Sequence, residues 1–133
     1  MRLEFEWLPG DYAIVRCPPD APVPGWAEGG SLLSISRSEQ ELSIVCRAGN
    51  VPPGQRVSAG WCALRLAGPF DFALTGVLAS VLAPLAEAAV PIFAISTFDT
   101  DYVLIPAQKL ADARAALARA GHVERLPPGS RSL

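Results

Sequence analysis

The segment from Leu74 to Ile105 constrains the fold of this chain more than any other. It reads LTGVLASVLAPLAEAAVPIFAISTFDTDYVLI. Thr75 supplies a candidate helix N-cap, since its hydroxyl can accept a first-turn N–H. Val77, Leu78, Val81, Leu82 and Leu85 then fall on one wide apolar face. Pro84 should bend or shorten this helix, because it has no N–H to give. Pro91 forbids its continuation and turns the chain toward an extended conformation. Residues 92–96 and 102–105 read as two apolar strands around the polar turn Ser96-Thr97-Phe98-Asp99-Thr100-Asp101.

The flanks complete a pattern. Residues 61–66 read as a preceding strand. Residues 107–120 read as a helix with Leu110, Ala113, Ala116, Leu117 and Ala120 inward and Lys109, Asp112, Arg114 and Arg119 outward. Gly121 suits the C′ position, and residues 122–126 form a last short strand. The order β-α-β-β-α-β predicts a ferredoxin-like unit, an antiparallel sheet with two helices on one face.

The N-terminal half carries a fainter copy. Residues 33–45 align with 93–105 at an offset of 60, matching Ile35 with Ile95 and Ser36 with Ser96. Residues 12–20 align with 62–71 at an offset near 50. A duplication is therefore expected. In this half residues 11–17 read as a strand, and residues 31–38 and 41–46 as a hairpin. Residues 18–30, with four prolines and three glycines, leave room for about one helical turn. The Pro/Gly-rich stretch 48–60 marks the boundary. The expected organisation is α+β, two tandem βαββαβ units: an abbreviated one at 1–59 and a complete one at 60–133. Residues 127–133 are expected to be a frayed tail.

A chain of 133 residues, half of them apolar and 18% charged, can bury a core without disulfides or metal. The net charge of −2 gives no pull toward nucleic acid or anionic membrane. Cys17, Cys46 and Cys62 show no metal spacing and fall in strand-like runs, as expected of reduced thiols in a cytoplasmic protein. The acidic start Met-Arg-Leu-Glu-Phe-Glu is wrong for a signal peptide. The apolar stretch 72–97 is interrupted by Gly76, Pro84, Glu87 and Pro91, so no membrane span is expected.

Residues 61–122, centred on GPFDFALTGVLASVLAPLAEAAVPIFAISTFDTDYVLIP, resemble an ACT domain. More narrowly, the chain is similar to small bacterial proteins of two ACT-like units, related to the Castor arginine sensors and to aspartokinase regulatory domains. The resemblance implies a non-catalytic regulatory protein, often a homodimer, that binds a free amino acid between ACT units and passes the signal to a protein partner. It implies no cofactor, no metal and no catalytic residues.

The residues themselves allow such a site. An amino acid brings an ammonium, which an acid such as Asp99 or Asp101 can hold. It also brings a carboxylate, which suits backbone N–H groups at a helix N-terminus. Gly76 leaves that helix mouth bare of side chain. Ser96 and Thr97 add hydroxyls and Phe98 an apolar wall. By the resemblance, Thr97, Phe98 and Asp101 fall on ligand-contacting strand-turn positions, and Gly76 falls on the glycine of the loop before the helix. Ala79 stands where the arginine sensors carry an acid, which points to a smaller or apolar amino acid instead.

Each feature also has a structural explanation. Asp99 and Asp101 could serve only the hairpin turn, and Asp71 only its own turn. Gly76 could simply ease helix–sheet packing. Trp7, Trp26 and Trp61 suit core or interface anchors, and His122 a helix cap. Two other functions are compatible with the sequence. One is an interaction or scaffold module whose pocket has decayed. The other, an enzyme, would need Cys62 beside His122 as nucleophile and base.

Overall fold

The computed structural model describes residues 1–126; the tail expected at 127–133 lies outside them. The chain divides into two compact units. One holds Met1–Leu8 and Cys62–Leu133, the other Pro9–Trp61. The first eight residues thus group with the C-terminal unit.

The reason is an additional N-terminal strand. Strand β1 (Glu4–Trp7) pairs antiparallel with the end of β5 (Arg56–Leu66), Phe5 opposite Leu66 and Trp7 opposite Leu64. On its other side it pairs in parallel with β8 (Val123–Glu124). The C-terminal unit further contains α1 (Val77–Glu87), β6 (Phe93–Ser96), β7 (Asp101–Pro106) and α2 (Leu110–Arg119), which follows a 3-10 turn at Ala107–Lys109. Its strand order is β6-β7-β5-β1-β8. This is the ferredoxin-like α+β order with β1 inserted beside the last strand, so one pair in an otherwise antiparallel layout is parallel.

One apolar cluster holds this unit together. Leu3 and Phe5, Leu64 and Leu66, and Val103 and Ile105 from the strands meet Val77, Val81 and Leu85 of α1 and Ala113 and Leu117 of α2. Of the inward faces read from the 3.6-residue period, Val77, Val81, Leu85, Ala113, Ala116 and Leu117 are buried, Leu78, Leu82 and Leu110 are half-buried, and Ala120 is exposed. Trp7 packs on the cluster and meets Phe5 edge to face at 6.0 Å.

Helix α1 runs through Pro84 to Glu87 rather than ending there. A proline leaves the carbonyl four residues earlier without its donor, here that of Ser80. His122 fills the vacancy: its Nε2 lies 2.8 Å from the Ser80 oxygen, while Nδ1 accepts the Leu3 N–H at 3.0 Å. The accepted bond at Nδ1 fixes the proton on Nε2. His122 is thus a buried brace between β1, α1 and the end of α2, not merely a cap. The helix cap is made by backbone. Gly121 (φ 90°) and His122 donate their N–H groups to Ala118 and Leu117, a Schellman closure. Helix α1 closes the same way through Ala89 and Val90, with Ala89 at φ 58°.

The N-terminal unit contains β2 (Tyr12–Cys17), β3 (Ser34–Arg37), β4 (Leu42–Arg47) and residues 56–61 of β5. The order is β3-β4-β2-β5, each pair antiparallel. The crossover after β2 contains only a 3-10 turn, Gly25–Ala27, and a second such turn at Ala48–Asn50 replaces the second helix. Val15, Cys17, Ala27, Leu42, Ile44 and Cys46 form its own core. Burial pushes the Cys46 thiol above its ordinary range. The one long strand β5 thus closes this unit with its first six residues and opens the next with its remainder.

The two hairpins match, but at an offset of 59 rather than 60. Arg37 pairs with Leu42 at the mouth of the first turn, and Ser96 with Asp101 at the mouth of the second. Ser38 N–H donates to the Glu41 carbonyl at 2.9 Å, and Thr97 N–H to the Thr100 carbonyl at 2.8 Å. At this offset Ile44 and Cys46 correspond to Val103 and Ile105, core with core.

Candidate functional site

The site is built on one end of the C-terminal unit, by two backbone segments. The first is the loop 67–76 between β5 and α1. The second is the β6–β7 turn, residues 97–100. Gly68 allows them to meet: a Cβ there would stand 2.8 Å from the Asp99 carbonyl oxygen. The Phe70 N–H donates to that same oxygen at 2.8 Å, and the Thr100 hydroxyl donates to the Leu66 carbonyl at 2.7 Å. Gly68–Pro69 is a cis peptide.

Within the loop, Asp71 organises its own turn. Its carboxylate accepts the Ala73 N–H at 2.8 Å and its carbonyl the Leu74 N–H at 2.9 Å, the local role its sequence suggests. Thr75 is not the N-cap. Gly76 occupies that position at φ 81°, a left-handed conformation that a β-branched residue avoids, and no side chain caps α1. Gly76 therefore serves a backbone requirement first.

In the β6–β7 turn, the threonines do the work that Asp99 and Asp101 might have done. Thr97 Oγ1 donates to the Thr100 carbonyl at 3.0 Å and lies 3.3 Å from the Thr100 N–H. Asp101 instead accepts a short bond from the Ser96 hydroxyl across the strand pair. Asp99 is exposed, and turn closure does not use its carboxylate.

Between loop and turn lies a cavity of about 250 Å³. Ser96, Thr97, Phe98, Asp99 and Asp101 all line it, so five of the six residues singled out from sequence converge there. Gly76 does not line it, although Leu74 and Val77 on either side of it do. The remaining lining comes from Phe70, Asp71, Phe72 and Thr100. Phe72 was not anticipated. It meets Phe98 edge to face with ring centroids 4.9 Å apart, and the two are 74% and 79% exposed. The cavity thus presents three carboxylates, hydroxyls and an apolar side, and no basic side chain. Its volume sits below the usual range for drug-sized ligands and suits a small metabolite, not a dinucleotide.

A Cys62–His122 catalytic pair is not available. Both ring nitrogens of His122 are engaged, one by the Leu3 amide and one by the Ser80 carbonyl. No helix among the described residues is long and apolar enough to cross a membrane.

Comparisons with known proteins agree with this architecture. The ACT domain family model matches residues 56–119, and a separate N-terminal-domain model matches residues 10–54. Residues 56–119 form an ACT domain. No curated protein matches it in sequence. Among solved structures, a protein of Agrobacterium tumefaciens is 38% identical over 100% of this chain and 99% of that one, with a TM-score of 0.90. A Vibrio cholerae protein of unknown function, described as a possible transport protein, is 19% identical over 90% of each chain, with a TM-score of 0.73. The regulatory subunit of aspartate kinase from Thermus thermophilus, in its ligand-free form, shares the fold at 13% identity. That match covers 85% of this chain and 93% of that one, with a TM-score of 0.59.

Proposed function

We propose that this protein is a non-catalytic regulatory module that binds a free amino acid in the cavity between the 67–76 loop and the 97–100 turn. The convergence of Ser96, Thr97, Phe98, Asp99 and Asp101 on one small cavity carries the reading. The fold shared with an aspartate kinase regulatory subunit supports it.

Asp101 is the ammonium partner. It is only partly exposed and is oriented by the Ser96 hydroxyl, and a charge-assisted bond gains strength where water is partly excluded. Asp99 adds a second carboxylate at the same wall. The ligand carboxylate belongs at the start of α1, beside Leu74 and Val77, where amides without intrahelical partners and the helix dipole favour an anion. Gly76 keeps that approach open. Binding would favour the arrangement in which loop and turn are docked, by its differential affinity for that state. The protein acts in the cytoplasm, as a homodimer or with a protein partner that carries the output. Neither cofactor, metal, nucleic acid nor membrane takes part.

Asp101→Ala tests the site. Isothermal calorimetry should show binding weakened by roughly 2–4 kcal/mol, the cost of truncating a desolvated charge partner. Unchanged affinity would remove Asp101 from the site.

A second reading is favoured by one observation. The large exposure of Phe72 and Phe98 also suits a protein-interaction module that uses the aromatic rim and no small ligand.

A further inference from the structure

The apolar side of the cavity says more about the ligand than its acids do. Phe70, Phe72, Leu74, Val77 and Phe98 surround the carboxylates. Phe72 and Phe98 reach each other from separate segments, the loop and the turn, yet most of each ring faces solvent. Neither ring is there to fill the core: the apolar cluster of this unit contains neither. Two aromatic rings in edge-to-face contact present a surface that a third apolar group can complete with favourable ring geometry.

We propose that Phe72 and Phe98 are specificity-determining residues and that the ligand is an amino acid with a bulky apolar or aromatic side chain; this rests on the amino-acid reading above. An acidic side chain would face Asp71, Asp99 and Asp101 with no cation to offset them. A small side chain would leave both phenyl rings in water and gain nothing from them. A cationic side chain would have only Asp99 to pair with, because Asp71 holds the Ala73 amide and Asp101 takes the ligand ammonium, and an ion pair to the exposed Asp99 adds little. A large apolar side chain buries its own surface and that of both rings together, where the hydrophobic gain is greatest. Phe72 would then close over the ligand from the loop while Phe98 holds it from the turn.

The test is a binding comparison of wild-type protein and Phe72→Ala with phenylalanine, leucine, alanine, lysine and aspartate. Phe72 is exposed, so its truncation leaves the fold intact. Wild-type protein should bind phenylalanine and leucine roughly tenfold or more tighter than alanine, the scale on which apolar pockets discriminate. Phe72→Ala should lose most of that preference while its affinity for alanine changes little. Binding of lysine or alanine as tight as phenylalanine would overturn this specificity and leave the amino-acid reading standing. Equal weakening of every ligand by Phe72→Ala would also overturn it. No binding of any amino acid would overturn both.

Discussion

His122 makes the hydrogen bond that Pro84 denies to its own helix. Pro84 has no N–H to offer the Ser80 carbonyl, and His122 Nε2 reaches that oxygen at 2.8 Å from beyond the end of α2. The same ring accepts the Leu3 amide. One side chain therefore supports α1 through its proline and fastens the N-terminal strand into the C-terminal unit.

His122→Ala should then destabilise the protein by roughly 3 kcal/mol, since it strands a buried amide and a buried carbonyl and opens a cavity. Pro84→Ala restores an N–H for Ser80. The cost of losing His122 should be about 1 kcal/mol smaller in that background, a coupling of the size seen for residues sharing one partner. Urea denaturation of the two single variants and the double variant measures it. Strict additivity would show that the His122–Ser80 bond carries no stability.

The bond from Thr100 to Leu66 makes a separate prediction. Thr100→Val keeps the shape and removes the donor, leaving the Leu66 carbonyl without its side-chain partner. A loss of about 1–2 kcal/mol is expected. Hydrogen exchange should locate the change, with the Thr97 amide, bonded across the turn to the Thr100 carbonyl, exchanging faster than in the wild type. Unchanged exchange there would mean the turn does not depend on this tether.

Gly68 makes the same dependence visible by steric means. Gly68→Ala drives a Cβ to within 2.8 Å of the Asp99 backbone oxygen, so the loop and the turn must separate. Stability should fall by roughly 1–3 kcal/mol, and ligand affinity should fall with it. Retained stability and affinity in equilibrium unfolding and calorimetry would show that the two cavity walls need not touch.

At the end of α1 the backbone offers a gain. Ala89 sits at φ 58°, where a Cβ is unfavourable and glycine is the common residue. Ala89→Gly should stabilise the protein by about 1 kcal/mol, less the entropy that glycine adds to the unfolded chain. Thermal unfolding would reveal it as a melting temperature raised by a few degrees.

Much of the C-terminal unit was legible because its period changes are sharp. The stripe through Val77, Val81 and Leu85 is buried as read, and the Ser96–Asp101 turn lies where its polar cluster suggested. Strand β1 was missed although Leu3, Phe5 and Trp7 alternate with Glu4 and Glu6, the period-2 signal of a half-buried strand. Its partners lie some 60 and 120 positions away, where no local pattern points.

The repeat was seen, but one residue out of register. Matching Ile35 with Ile95 and Ser36 with Ser96 sets Ile44 and Ile105, which belong to the two apolar clusters, opposite Leu104 and Val45, which lie outside them, because a one-residue slip reverses every side chain on a strand. Turn geometry corrects the offset, and identity at single positions could not. Phe72 escaped notice because its role comes from meeting Phe98 across a gap that sequence does not display. The brace by His122 was hidden for a similar reason: its partners are the backbone of Leu3 and Ser80, which leave no mark on side-chain spacing.

The most direct test of amino-acid binding is a thermal-shift screen of the purified protein against the twenty amino acids at millimolar concentration. A ligand at 100 times its dissociation constant adds about 2.7 kcal/mol of stability, which raises the melting temperature by roughly several degrees in a domain of this size. A response confined to a few bulky apolar amino acids, and lost in Asp101→Ala, is expected. A folded protein whose melting temperature is unmoved by all twenty would contradict it.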